Sequence, residues 1–452
     1  MTRILAPHVS IETAVLGMAD LIISFVLIHA MLSVSGLFGV LAPGAYIDVT
    51  ASGLLAAILA LTIAGIAGLI GLYRPEVCLD PRSLVRNAAT AGLCAFPALL
   101  LIARGFSLGL GGREAAWIAQ LLAGWLLVVM LSRLALGWLT RLLWSPRRIL
   151  VVGSRHRALR LSERLRRHRR GLFQPLIMDG DAATLSPDMP RGEHIWGLVS
   201  VGDAAGVSWL PSAVGTGKRH VRVFDEPTFS EQHLGRIDID APGLVSAAAG
   251  IGANRNAVYL AGKRFCDIIV SLLLLALTLP LMALTAVLIR IDSPGPVIYR
   301  QTRAGLQGQP FMLFKFRSMT VDAEAGGSPR WAQTRDPRIT RVGAWIRPMR
   351  IDELPQLINV LRGDMSLIGP RPERPLFVEQ LSQVIPCFQQ RSCVKPGVTG
   401  WAQVNFPYGA SVDDAREKLA YDLYYIKHQG FLLDLMILLS TVRVVLFREG
   451  AR

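Results

Sequence analysis

The sequence predicts a membrane protein in three parts: an α-helical N-terminal transmembrane bundle, an α/β Rossmann-like middle domain, and a mainly α C-terminal domain with a short β-hairpin and a re-entrant membrane helix. Three observations carry this. Four apolar stretches fill the first third of the chain, each about 20 residues long, the length that crosses a hydrocarbon core. A buried-strand pattern followed by an arginine-rich amphipathic helix opens the middle. A fifth apolar stretch, interrupted by Pro280, precedes a polar region rich in Gly and Pro turns. The expected boundaries are 1–146, 147–255 and 260–452.

Composition supports the membrane assignment. A mean hydropathy of +0.41 with 52% hydrophobic residues over 452 positions is too apolar for an ordinary soluble enzyme. The formal charge of +15 comes mostly from arginine and suits anionic partners such as lipid headgroups or nucleotides. Nucleic acid is not an expected partner, because the basic runs lack interleaved aromatic residues and flank membrane segments. Five cysteines stand at no zinc-like spacing and form no CxxC, so they read as reduced structural thiols. The first apolar stretch lacks a cleavage site and reads as a retained span.

The four spans lie at 13–35, 51–73, 84–104 and 115–140. Arg74, Arg82 and Arg86 join the second to the third, and Arg141, Arg147 and Arg148 open a long basic run through Arg170 after the fourth. Both segments are therefore cytoplasmic, with the N-terminus inside and the loop around 36–50 outside, although Arg104 and Arg113 oppose this in the third loop. The middle domain begins Arg148-Ile149-Leu150-Val151-Val152-Gly153, but Ser154-Arg155-His156-Arg157-Ala158 follow where a dinucleotide fingerprint needs further glycines. That degenerate motif favours a structural or regulatory role over nucleotide binding.

The fifth stretch, 265–291, has Lys263 and Arg264 before it and Arg290, Arg300 and Arg303 after it. Positive charge at both ends conflicts with a simple span, whereas Pro280 removes a helix hydrogen bond and bends the axis, so the segment enters and leaves on one face. A straight fifth span with a tolerated proline is the competing reading. Strands at 297–300 and 311–317 then flank the turn Gly305-Leu306-Gln307-Gly308-Gln309-Pro310, and the short apolar stretch 431–447 reads as an interfacial helix.

The candidate chemistry centres on Asp352-Glu353-Leu354-Pro355. Aspartate before a proline and a helical apolar pattern is a preferred N-cap, so a capping role weighs about evenly with a chemical one. A helix N-terminus also favours a carboxylate and a neighbouring phosphate, and Glu353 is placed to hold a divalent cation. Lys315, Arg317, Arg347, Arg371 and Lys395 each precede or enter a turn. Any one alone is an ordinary surface charge; together with paired acids they suit a pyrophosphate substrate.

Six motifs occur in order: Lys315-Phe316-Arg317-Ser318-Met319, Asp336-Pro337-Arg338-Ile339-Thr340, Asp352-Glu353-Leu354-Pro355-Gln356-Leu357, the run from Gly363 to Glu373, the run from Lys395 to Asn405, and Tyr421-Asp422-Leu423-Tyr424-Tyr425. Together they resemble the bacterial sugar transferase family, the monotopic polyprenyl-phosphate phosphoglycosyl transferases, in its large form. The resemblance covers about 260–452. It implies transfer of a hexose-1-phosphate, glucose or galactose, from a UDP-sugar to undecaprenyl phosphate with release of UMP, opening exopolysaccharide, capsule or O-antigen assembly. It implies Asp352 as nucleophile, Glu353 as the Mg2+ ligand, and Lys315, Arg347 and Lys395 near the phosphates or nucleotide, with Asp422 supporting the site; Arg317 and Arg371 are phosphate candidates from the residue pattern itself. It also implies a bacterial inner-membrane location with the active site on the cytoplasmic face. The family's Ser-Pro helix break is Leu279-Pro280 here, with Thr278 as the residue that could bond the freed backbone. A HexNAc-1-phosphate transferase and a non-catalytic scaffold or sugar-nucleotide sensor are the alternatives. A homodimer through the accessory region is compatible with the sequence, which does not show one.

Overall fold

The computed structural model describes residues 11–37, 49–73, 77, 81–105, 114–143, 147–168, 173–179, 195–202, 222–241, 244, 257–321, 336–406, 409 and 411–447. Most of the loop 36–50 and the flanking Arg74, Arg113, Arg169 and Arg170 lie outside these residues. The chain divides into two compact units, Met1–Phe229 and Ser230–Arg452.

In the first unit, helices α1 (Ile11–Leu37), α2 (Val49–Ile70), α3 (Pro81–Gly105) and α4 (Glu114–Leu143) pack in sequence, and α4 returns to α1. Helices α2 to α4 each hold a stretch long and apolar enough to cross a membrane, and the described apolar part of α1 is Gly17–Leu32. Lipid tails are as apolar as leucine, so membrane helices associate through close backbone approach at small residues. Ala56, Ala60 and Ala67 on α2 and Ala88, Ala91, Ala95 and Ala103 on α3 are accordingly buried. One ion pair interrupts this apolar packing. Asp20 on α1 meets Arg133 on α4 at 2.7 Å, both buried.

The rest of the unit is α/β. Strands β1 (Arg147–Gly153), β2 (Phe173–Asp179), β3 (Ile195–Val201) and β4 (Arg222–Asp225) form a parallel sheet in the order β2-β1-β3-β4. Ile149, Leu150, Val151 and Val152 are all buried, as a strand covered on both faces requires. Helix α5 (Arg155–His168) buries Ala158, Leu161 and Leu165 at helical spacing and turns Arg155, Arg160 and Arg166 outward. Gly153 has φ +130°, and a Cβ there would lie 2.0 Å from the Val201 carbonyl oxygen. Strand packing therefore accounts for this glycine, and the next amide, Ser154 N, donates to the same carbonyl at 3.3 Å.

The second unit starts at Ser230, upstream of the compositional change near 255–260. Its longest element is α6 (Ala257–Asp292), 36 residues and about 54 Å of helix, apolar enough to cross a membrane. Pro280 lies inside it and the helix continues through. Thr278 does not serve the backbone group that the proline frees, which is the Ala276 carbonyl. Its hydroxyl donates to Leu274 O at 2.7 Å instead, because the side chain folds back one turn.

The antiparallel hairpin β5 (Ile298–Ala304) and β6 (Pro310–Phe316) follows. Helices α7 (Arg341–Ile346) and α8 (Gln356–Arg362) come next, then strand β7 (Ser366–Ile368), helix α9 (Pro375–Val384) and strand β8 (Gly397–Thr399), parallel to β7. Helices α10 (Trp401–Asn405), α11 (Val412–Lys427) and α12 (Phe431–Phe447) complete it. The core gathers Val360 of α8, Leu367 of β7, Leu423 and Tyr424 of α11 and Ile437 of α12. Helix α12 exposes Phe431, Leu432 and Leu435 while burying Leu433 and Ile437, and its apolar part, Phe431–Val442, is shorter than a bilayer span.

The Asp20–Arg133 pair gives a test of the bundle. Removing one partner strands the other charge in an apolar interior, whereas removing both leaves only a packing change. Asp20→Leu should destabilise the detergent-solubilised protein by about 3 kcal/mol or more, read as a fall in unfolding temperature. The double variant Asp20→Leu/Arg133→Met should recover most of that loss.

Candidate active site

Asp352 and Glu353 lie in a single 3-10 turn, Ile351–Glu353, that leads through Leu354 and Pro355 into α8. Asp352 does not cap that helix. Pro355 occupies the cap position, no side chain bonds to the first amides, and Asp352 is one turn too early to reach them. Arg350, just before the turn, holds φ +57°, a left-handed backbone that costs a non-glycine residue about 1 kcal/mol. This kink tucks both carboxylates inward, and both are buried.

The two neighbours are held differently. Glu353 Oε1 accepts from Arg371 at 2.6 Å and has Arg350 at 3.4 Å and Lys315 Nζ at 3.6 Å. Burial pushes the Glu353 carboxyl up, but Arg371, Lys315 and Arg350 outweigh it and hold it well below the usual range. Burial and then the Glu353 charge push Asp352 above the usual aspartate range, against weaker pulls from Lys315, Arg347 and Arg350. Glu353 is thus the fixed anion, and Asp352 is the carboxylate whose charge changes near neutral pH. Burial brings Lys315 down to about 8, with Glu353 and Asp352 opposing.

Distant residues fix these elements. Asn359 of α8 accepts from Phe314 N at 3.1 Å and donates to Met312 O at 2.7 Å, pinning the helix after the dyad to the strand that carries Lys315. The turn bearing Arg371 is gripped at its carbonyls: Arg391 donates to Arg371 O at 2.8 Å and Arg303 to Pro372 O at 3.0 Å. Asp422 holds Arg391 at 2.9 Å, and burial raises its carboxyl to about 6 against the pull of that arginine. Gly369 and Gly397 join two of the sequence motifs, since a Cβ on Gly397 would meet Gly369 N at 2.1 Å.

Of the residues singled out from sequence, Lys315, Arg347 and Arg371 act electrostatically on the dyad, and Asp422 supports it through Arg391. Arg317 has another task. Its guanidinium donates to Pro294 O and Ser293 O, both at 2.7 Å, and so closes the C-terminal end of α6 instead of facing phosphate. Lys395 lies beside Gly363 and Arg264, at the far end of α8 from the dyad, a helix about 10 Å long. Arg303, Arg350, Asn359 and Arg391 escaped the sequence reading. Asn359 alone carried a local signal, as an amide in an otherwise apolar helical repeat. The apolar setting of the dyad is also specific: Ile351 packs in the same cluster as Met282, Ala286 and Ile289 of α6.

The comparisons agree with this architecture. Residues 258–448 match the family model described as bacterial sugar transferase. A UDP-glucose:undecaprenyl-phosphate glucose-1-phosphate transferase of Xanthomonas campestris pv. campestris is 32% identical over 359 residues, 73% of this chain and 74% of that protein. One of the same name from Caulobacter vibrioides is 44% identical over 191 residues, 42% of this chain and 71% of its own. A UDP-N-acetylgalactosamine-undecaprenyl-phosphate N-acetylgalactosaminephosphotransferase of Aeromonas hydrophila is 45% identical over 233 residues, 52% of this chain. The match spans about half, 54%, of that relative's length. With the dyad, its cations and the long apolar helix in one compact unit, and with identity to the Xanthomonas protein across most of both chains, this chain belongs to the bacterial sugar transferase family.

Proposed function

We propose that this chain transfers a hexose-1-phosphate, glucose or galactose, from a UDP-sugar to undecaprenyl phosphate, releasing UMP, as the step that initiates a surface polysaccharide. The observation that carries the reading is the unequal dyad: Glu353 held at 2.6 Å by Arg371 with Lys315 and Arg350 beside it, next to a buried Asp352 whose carboxyl is pushed above the usual aspartate range. The match to the Xanthomonas glucose-1-phosphate transferase, over 73% of this chain, supports a hexose. The higher identity to the Aeromonas N-acetylgalactosamine enzyme favours a HexNAc-1-phosphate as the second reading.

In the proposed chemistry an Asp352 oxygen attacks the phosphorus that bears the sugar, and the bond to UMP breaks, with UMP keeping the electron pair. An oxygen of undecaprenyl phosphate then attacks the same phosphorus and releases the Asp352 carboxylate. Two displacements replace one difficult step and give ping-pong kinetics. Arg371 and Lys315 face the charge that develops on the phosphoryl oxygens. Among the described residues no cluster of three or more His, Cys, Asp or Glu is suited to a metal. The paired carboxylates fit Mg2+ completed by substrate phosphate and water, with Glu353 as its protein ligand. Bound there, Mg2+ would neutralise phosphate charge.

The membrane arrangement belongs to the same proposal. Helix α6 is re-entrant, entering and leaving on the cytoplasmic face of the inner membrane, where soluble donor and lipid acceptor meet. Its two ends support this, because both are bonded into one domain: Arg264 to the carbonyls of Val360 and Leu361, and Asp292 to Val342 N at 3.0 Å. The parallel sheet of the first unit is a degenerate Rossmann-like domain with a structural or regulatory role, since its first loop spends Gly153 and Ser154 on strand β3.

Three outcomes are expected. Asp352→Asn should lower UMP release from UDP-sugars by on the order of a thousandfold or more, with expression and membrane insertion unchanged; substantial residual activity would remove Asp352 as nucleophile. UMP release should rise with pH as Asp352 ionises, along a limb displaced upward from the ordinary aspartate range. It should fall as Lys315 loses its proton near pH 8, and Lys315→Arg should shift that alkaline limb upward. Single cysteines at the exposed positions Val258 and Arg300, in a cysteine-free background, should both label from the cytoplasm only. Labelling from opposite faces would make α6 a straight span.

A further inference from the structure

A carboxylate buried in an apolar membrane helix is costly unless it is bonded. Asp267, on the first half of α6, is 5% exposed and is not among the groups that bond or charge the dyad. Its Oδ1 accepts from the backbone amide of Leu367 at 3.0 Å, and the Ser366 side chain also faces it. Leu367 is the middle residue of β7, and the amide before it is spent beside β8: Ser366 N donates to Pro396 O at 2.9 Å. Alternate amides of a strand point to opposite sides, so Leu367 N faces away from β8. Asp267 stands where a third strand would.

We infer that Asp267 is a positioning residue for the Arg371 turn, acting through the backbone of β7. The strand runs from Leu367 through Ile368 directly into Gly369-Pro370-Arg371, and Arg371 is the closest cation to Glu353. One helical turn earlier, on the same face of α6, Arg264 donates to Val360 O at 2.5 Å and Leu361 O at 2.8 Å, closing the C-terminal end of the helix that follows the dyad. The same face of the membrane helix thus bolts down both elements that carry the site. Lys263 does not neutralise Asp267 by direct contact, since its ammonium bonds Asp434 at 2.8 Å. The role of Asp267 is that of a hydrogen-bond acceptor, and without it Leu367 N is left buried and unpaired while β7 moves to find a partner. The inference rests on the reading of Arg371 as a phosphate-binding residue.

The test compares Asp267→Ala, which removes the acceptor, with Asp267→Asn, which keeps an oxygen there without the charge, in the full chain in detergent. Asp267→Ala should raise the UDP-sugar KM about tenfold with a smaller change in kcat, and Asp267→Asn should stay within about twofold of wild type. A merely structural loss lowers kcat through fewer active molecules and leaves KM alone. An unchanged KM in Asp267→Ala, or Asn as impaired as Ala, would overturn the inference. Hydrogen exchange supplies a readout independent of turnover: the peptide spanning 365–371 should exchange faster in Asp267→Ala and not in Asp267→Asn. If wild type releases UMP from no UDP-sugar, the proposed function fails, and the exchange comparison alone decides for or against Asp267.

Discussion

The contact between Glu353 and Arg371 is the interaction on which the rest of this site depends. Two adjacent buried carboxylates cannot both stay ionised at neutral pH without cations, because each raises the cost of charging the other. Arg371 at 2.6 Å, helped by Lys315 and Arg350, settles the competition in favour of Glu353. Asp352 is then left with the displaced titration. Everything that fixes Arg371 and Lys315 therefore bears on Asp352. Arg391 and Arg303 hold the carbonyls of the Arg371 turn, Asp422 holds Arg391, and Asn359 ties the Lys315 strand to α8.

The long apolar helix α6 also shapes the site. Its second half shares an apolar cluster with Ile351, the residue beside Asp352, while its first half spends Arg264 and Asp267 on the backbones of α8 and β7. A half-buried arginine bonded to helix carbonyls and a buried aspartate bonded to a strand amide are costly groups made tolerable by geometry, and breaking either leaves an unpaired charge or amide. Such bonds specify one docking of the helix where leucine packing alone would accept several.

Much of this was legible in the sequence because it was local. The spans, the β1 pattern, the hairpin and the dyad all follow from periodicity or from consecutive residues. What was not legible depends on distance along the chain. Arg391 pairs with Asp422 across 31 residues and Arg303 reaches Pro372 across 69, so neither motif advertises its partner. The bonds of Arg317 were hidden for the same reason: a basic residue after a strand suggests a phosphate ligand, and the carbonyls at the end of α6 that it holds lie more than twenty residues away. A capping role for Asp352 weighed evenly with a chemical one because aspartate is a preferred N-cap, and the left-handed Arg350 that redirects the turn has no sequence signature.

The segment that opens the second unit shows which forces decide a boundary. Composition changes near 255–260, yet residues 230–241 lie along α11. Glu231 bonds Lys427 and His428, Arg236 pairs with Glu417, and Asp240 with Arg416. An exposed pair such as Arg416–Asp240 contributes about 0–1 kcal/mol, so such pairs do not by themselves hold the strap. Buried contacts do more: Ile237 and Ile239 join the core, Trp401 donates to Gly235 O at 2.7 Å, and Ile237 N to Ala420 O at 2.9 Å. Burying two isoleucine side chains stabilises by roughly 3–6 kcal/mol, enough to outweigh the surface pairs. The strap is thus a part of the domain that carries the dyad, although the family match begins only at residue 258. It lies on the helix that bears Asp422, and through Asp422 and Arg391 a continuous set of hydrogen bonds leads to Arg371.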